Sequence, residues 1–372
     1  MDKILSWYRE FLLPAVLLSA LIIGAGMFAL PYLFDQAGFI SGLFWLALLT
    51  VVVSTVHLMY LDVTNYTEGR HRFVGYARIY LGNWGFFISF ITTALGNILG
   101  LLIYIILAVS LIKVILPNLN DFIALIIFWL FSTAAFVAGI RRMANIEFWG
   151  TVGTVIVVFA IFLGGVGGFD AGAVKLIDFN NFLIPYGAIL FSLGGRAAIS
   201  SIKTYISENN LSSKHLNKAV IVGTVIPAIL YLLFIIGIIG LSGGSVSENA
   251  VAGLYTISPL LIYTIALLGV FELWTSYIFL GLEAKEILSY DLSVSRFFAS
   301  AIVMFLPIVL YIIGFNNFIV AVGIAGGIFI AIEGIFVISM WLRLRSRSGL
   351  ALNMARIMVV MFILGGLQEL LY

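Results

Sequence analysis

The sequence predicts an all-α polytopic membrane protein with about eleven spanning helices, and two observations carry that prediction. First, 63% of its 372 residues are hydrophobic and only 10% are charged, against roughly 25% charged in a soluble domain. A surface so poor in charge is solvated by lipid. Second, the apolar runs recur at the length of about 20 residues that a helix needs to cross a bilayer. They fall at 11–34, 38–61, 84–116, 121–140, 146–167, 182–206, 219–241, 257–288, 297–315, 318–342 and 351–371.

The basic residues check that count, because cytoplasmic loops are enriched in Lys and Arg. With the N-terminus cytoplasmic, sixteen of the 19 fall on the inside, from Lys3 to Arg356. Lys113 and Lys175 fall outside, and Arg196 lies within a span. A missed or invented span would scramble this alternation. The expectation is a multi-pass protein of the plasma (cell inner) membrane, N-terminus cytoplasmic and C-terminus outside. The first run, 11–34, is too long for a signal-peptide core of about 7–15 residues, so it is read as a retained span. Residues 65–82 are expected to form a short amphipathic interfacial helix, and the Gly/Ser-rich stretch 242–254 an outer loop or lid.

Composition also excludes functions. There is no cysteine, so disulfides, thiolate catalysis and Cys-based zinc sites are absent. A net charge of +2 gives no footprint for nucleic acid. The histidines are His57, His71 and His215, with one inside a span and no HExxH pattern. An enzyme is therefore not expected, nor a resident cofactor. No sequence feature names a protein partner.

Two spans are interrupted. The first carries Gly24, Gly26 and Pro31, and the sixth carries Pro185, Gly194 and Gly195 just before Arg196. In a helix glycine costs about 1 kcal/mol relative to alanine and proline about 3. Unwound backbone within a membrane needs protein, water or a ligand as partner. Paired interruptions in two halves are the mark of inverted-repeat transporters, where half-helix N-termini face an anionic group and free carbonyls face a cation. The competing explanation is close helix packing through small residues. The first explanation divides a single domain, 1–372, into repeats of about 11–167 and 182–342 plus an extra helix at about 351–371. It places a substrate carboxylate on the N–H groups of Gly24, Ala25, Gly26 and Met27. An amino group would meet carbonyls of Phe191, Ser192, Leu193 and Gly194, with Asn97, Thr93, Arg196 and Phe271 as side-chain contacts.

The run GAGMFALP at 24–31 resembles the first-helix motif of the amino acid–polyamine–organocation superfamily. The run ILFSLGGRAAISSI at 189–202 is similar to the sixth helix of the amino acid/auxin permeases and the hydroxy/aromatic amino acid permeases. Many of those relatives carry an aromatic, a histidine or a small residue where this chain has Arg196. The resemblance spans about residues 12–342. It implies a LeuT-type five-plus-five inverted repeat with discontinuous helices 1 and 6, an extra eleventh helix, and amino-acid transport by alternating access.

The resemblance also implies a coupling ion. Sodium-coupled members pair two hydroxyl residues of the eighth helix with first-helix carbonyls. Carried over, these are Thr275 and Ser276 with the carbonyls of Ala20 and Ile23. Proton-coupled relatives place a lysine on the fifth span, whereas 149–165 contains no basic residue, which favours sodium symport. Arg196, Glu272 and Glu333 are ionisable groups inside spans, each costing at least ~2.5–3.5 kcal/mol if unpaired. Arg196 is expected to pair with Glu272 or Glu333. Glu272, one turn before Thr275 and Ser276, is a further sodium ligand or the proton carrier of a proton-coupled permease or exchanger. Remoter alternatives are a nutrient-sensing transceptor and a channel.

Overall fold

The computed structural model describes residues 6–371 except 70, 139–142, 171, 173, 245, 253, 255–258, 293 and 345–347. Among the described residues there are helices and no strands, as lipid requires of a chain that must satisfy its own backbone. After a wide turn at Tyr8–Leu12, helix α1 (Leu13–Ile22) stops and the chain resumes as a tight 3-10 turn, Ala25–Ala29, and α2 (Leu30–Ala37). The two limbs bend by 52°. Next come α3 (Phe39–Tyr66), α4 (Phe73–Ile115), α5 (Asp121–Ala138) and α6 (Met143–Gly165).

After a stretch without helix among the described residues of 169–184, α7 (Pro185–Ser192) and α8 (Arg196–Glu208) flank the second break. They are followed by α9 (Leu216–Leu241), α10 (Pro259–Asp291) and α11 (Arg296–Ile312). Helix α12 (Phe318–Ile324) runs through a π-helical segment, Ala325–Ile330, into α13 (Ala331–Leu344), and α14 (Gly349–Glu369) ends the described chain. Among the described residues, seven helices are long and apolar enough to cross a membrane, or eight with the bent pair taken as one span.

Hydrogen bonds between loops sort the chain reversals onto two faces. On one, Arg9 Nη2 donates to Asn209 Oδ1 at 3.0 Å, Ser212 N to Glu10 Oε1 at 3.2 Å, and Arg343 Nη1 to the Tyr80 carbonyl at 2.7 Å. Arg72 and Glu286 form an ion pair there. On the other, Phe39 N donates to the Lys175 carbonyl at 2.9 Å, and Asn249 Nδ2 to Ser110 Oγ at 2.5 Å. The first is called the basic face below.

One local expectation needs correction. The interfacial helix expected over 65–82 is shorter, because α3 itself runs to Tyr66 and the next helix starts at Phe73. It ends at Gly82, whose φ of 76° breaks the helical path before the rest of α4; only glycine adopts that region without steric cost. The described residues of 242–254 form a loop that packs partly inward. Asn249 is buried, and its Oδ1 accepts the N–H groups of Val251 and Ala252 at 3.1 and 2.9 Å.

Candidate functional site

The two broken helices meet at their glycines. A Cβ on Gly26 would run into Ser192, lying 2.8 Å from its Cα. A Cβ on Gly195 would lie 2.5 Å from Ile22 Cγ1. Each break therefore presses a glycine against the residue that ends the opposing half-helix. Any larger side chain would force them apart. Tyr231 of α9, fully buried, joins them: its hydroxyl lies 2.7 Å from the Ile22 carbonyl and 2.8 Å from the Ser192 carbonyl, and shares its one hydrogen between them. These carbonyls lost their helical partners at the breaks, and a buried acceptor without a partner is costly.

Beside this junction lies a cavity of about 170 Å³. Of the residues expected from sequence, Gly24, Ala25, Gly26, Asn97, Phe191, Ser192, Gly194 and Arg196 line it, together with Ser276 and Glu333. The N–H groups of Gly24, Ala25 and Gly26 take no backbone partner among the described residues, whereas Met27 N donates to the Gly24 carbonyl at 3.3 Å. Gly24 is the open position, since a Cβ there would meet nothing nearer than the Tyr104 hydroxyl at 3.9 Å. The rest of the lining is largely aromatic or aliphatic, with Tyr104, Phe279 and Phe329 prominent. Met27, Leu193, Ala20, Ile23, Glu272, Thr275 and Phe271 lie outside the lining. Phe271 packs instead against Trp274, ring centroids 5.7 Å apart, and is 37% exposed.

Arg196 pairs with Glu333, not Glu272. Its Nε and Nη2 donate to the two carboxylate oxygens at 2.8 and 3.0 Å, and Thr93 Oγ1 donates to the same carboxylate at 2.9 Å. The guanidinium also stacks over Phe73 at 4.1 Å from the ring centre. Arg196 opens α8, where the helix dipole disfavours a positive charge; the bidentate carboxylate from α13 offsets that cost. The pair ties the sixth-span break to the tenth.

Glu272 is 5% exposed and sits between α10 and α6, accepting from Thr154 Oγ1 at 3.0 Å. Thr275 Oγ1 donates to the Glu272 carbonyl at 2.9 Å, and Ser276 faces the cavity. Among the described residues no three His, Asp or Glu side chains gather as a divalent-metal site would require; the oxygens near the first break are hydroxyls and carbonyls.

A second cavity, of about 630 Å³, shares Arg196, Ala197, Phe279 and Glu283 with the first. It is lined by Arg72, Glu208 and Glu286 and so opens on the basic face. No described residue of the stretches 30–52 or 169–184 lines either cavity. The broken-helix cavity therefore adjoins, across Arg196 and Phe279, a second cavity on the basic face.

Sequence reasoning missed Tyr231, Thr154, Tyr104, Phe279 and Phe329. Tyr231 and Thr154 sit in long apolar runs on spans chosen for length alone, and no local pattern separates them from packing residues. The π-helical turn that sets Phe329 beside the cavity had a signal, the adjacent glycines Gly326 and Gly327.

A bundle of helices with two breaks meeting at an internal cavity defines a LeuT-type transporter fold. The chain belongs to the Tryptophan/tyrosine permease family, whose family model matches residues 8–365. It is 26% identical to glutamine transporter 2 of Aliivibrio fischeri over 262 residues, 66% of this chain. The chain spans just under two thirds of that relative's length, 64%. Three solved transporters share the fold. The manganese transporter of Eremococcus coleocola superposes with a TM-score of 0.69 at 13% identity, covering 99% of this chain and 86% of that one. MhsT in complex with L-phenylalanine gives 0.66 at 15%, covering 95% and 98%. Mhp1, a nucleobase-cation-symport-1 family transporter with bromovinylhydantoin bound, gives 0.63 at 13%, covering 96% and 90%. The family and these structural neighbours are transporters, not enzymes.

Proposed function

We propose that the protein is a secondary active transporter that imports amino acids by cation-coupled symport, with sodium as the coupling ion. The observation that carries the reading is the cavity beside the breaks, lined by Gly24, Ala25 and Gly26, whose N–H groups take no backbone partner among the described residues. Such groups bind a carboxylate, and carbonyls near Phe191 take the amino group. The aromatic lining favours an aromatic side chain, in keeping with the family's description. Asn97 and the glutamine-transporting relative support a carboxamide instead. The eleven-span topology, the two repeats, the kinship with amino acid/auxin and hydroxy/aromatic permeases, and a plasma-membrane orientation with the N-terminus inside belong to this reading. The basic face is then cytoplasmic, and the second cavity is the path by which the site would release substrate inward in alternating access.

A monovalent cation moving inward gains ~2.3 kcal/mol per 100 mV. At about 1.4 kcal/mol per factor of ten, that supports roughly fortyfold accumulation of a neutral amino acid. A proton-coupled permease or exchanger is the second reading, favoured by the burial of Glu272 beside Thr154. Uptake of labelled tryptophan, tyrosine and glutamine into proteoliposomes, under an imposed sodium or proton gradient, decides between them. Sodium-driven accumulation supports the first reading, and accumulation driven by protons alone refutes it. No uptake of any amino acid under either gradient would sink both.

A further inference from the structure

Three glycines enclose one carboxylate at the end of α14. A Cβ on Gly323 would lie 2.6 Å from Glu369 Oε2, and Cβ atoms on Gly187 and Gly327 would run into the same side chain. Gly187 is the third residue of α7, and its backbone lies against the Glu369 carboxylate. A carboxylate thus occupies the N-terminus of the outer half of the sixth span, in a space that exists because two other spans place glycine there.

The charged neighbourhood is sparse. From α7 the titratable side chain set against Glu369 is Tyr186. Helix α12 and the π-helical segment bring none. On α13, Glu333 is committed to Arg196, and Arg343 lies toward the basic face. On its own helix Arg356 is thirteen residues away, about 20 Å along the axis. Among the described residues Glu369 has no ion-pair partner.

The carboxylate is coupled to the cavity through short lengths of backbone. Phe191 and Ser192 follow Gly187 by about one turn, and Phe329 and Ile330 follow Gly327 directly; all four line the cavity.

We propose that Glu369 is a proton-binding site that locks the outer limb of the sixth span against the tenth. The neutral carboxyl fits the packed arrangement, which is closed away from the basic face. An ionised carboxylate in the same place gains from the helix N-terminus but lacks a cation, and the cost of burying its charge is the larger effect, so it disfavours the packing. The protonated form is thus preferred in the packed state, so packing is strongest at low pH and is lost as pH rises through the titration of Glu369. This requires only that the chain is embedded in a membrane, not that any particular substrate is carried.

The absence of cysteine allows a direct test. Ala188, buried beside Gly187, is changed to cysteine, and its labelling by a membrane-impermeant maleimide is followed across pH in proteoliposomes. Rates are normalised to a cysteine at the exposed Leu183. Normalised labelling is expected to rise about fivefold or more between roughly pH 5.5 and 8, and to become flat and low with Glu369→Gln. Gly323→Ala, which displaces the carboxyl without removing it, should give high labelling at every pH. An unchanged pH profile in Glu369→Gln overturns the proposal, as does low, pH-independent labelling with Glu369 in place. If Glu369→Gln does not fold, the profile with Glu369 and the Gly323→Ala result still decide.

Discussion

The guanidinium of Arg196 and the carboxylate of Glu333 form a bidentate pair, 2.8 and 3.0 Å, across the sixth and tenth spans, with both side chains 14% exposed. Arg196 stands at the first helical position after the break and lines both cavities. The pair therefore forms part of the site wall and also holds two spans together.

Removing one partner leaves a buried charge. Glu333→Gln is expected to destabilise the protein by about 3 kcal/mol, the scale for breaking a buried pair. Replacing both, Arg196→Leu with Glu333→Leu, should recover much of that loss. Thermal unfolding in detergent checks both; equal melting temperatures for the single variant and the unmodified protein would mean that the pair holds nothing.

Gly24 and Gly26 should respond oppositely to alanine. Gly26→Ala meets Ser192 and should impair folding, at a cost of about 1–3 kcal/mol for an overpacked core. Gly24→Ala projects toward the cavity and should leave stability unchanged while weakening substrate binding. Melting temperature and equilibrium binding, measured side by side, separate the two effects.

Tyr231→Phe removes the hydroxyl shared by the Ile22 and Ser192 carbonyls. The expected cost is about 1–3 kcal/mol, because buried acceptors lose their donor. Hydrogen exchange should quicken at residues 23–26 and 193–196 and remain slow in the middle of α9. Uniform exchange across all three would argue that Tyr231 does not staple the breaks.

For the coupling ion, Thr275→Ala should raise the sodium concentration for half-maximal uptake by about tenfold, equivalent to ~1.4 kcal/mol for one ligand. Glu272→Gln should keep sodium dependence if the carboxylate only accepts from Thr154, and should abolish coupling if it carries the proton. Uptake measured at several sodium concentrations in both variants distinguishes these outcomes.

The architecture was legible because lipid leaves few options. Long apolar runs had to become helices, and glycines paired with proline at 24–31 and 185–195 had to become breaks. The backbone that lines the cavity followed from those breaks. Contacts between spans were not legible in the same way. Glu272 and Ser276 are one turn apart, yet Ser276 faces the cavity while Glu272 turns toward α6. Phe271 is a neighbour of Glu272 in sequence, but the helical step of about 100° carries it to an exposed flank. The choice of Glu333 over Glu272 as the partner of Arg196 depends on how α13 is placed against α8. A single sequence does not encode that distance locally.

The proposed substrate site lies at the two breaks, and Gly24 tests it most directly. Equilibrium binding of labelled amino acid to the purified protein should be saturable, and Gly24→Leu should abolish it without lowering the melting temperature. Undiminished affinity in Gly24→Leu would place the substrate elsewhere and contradict the account.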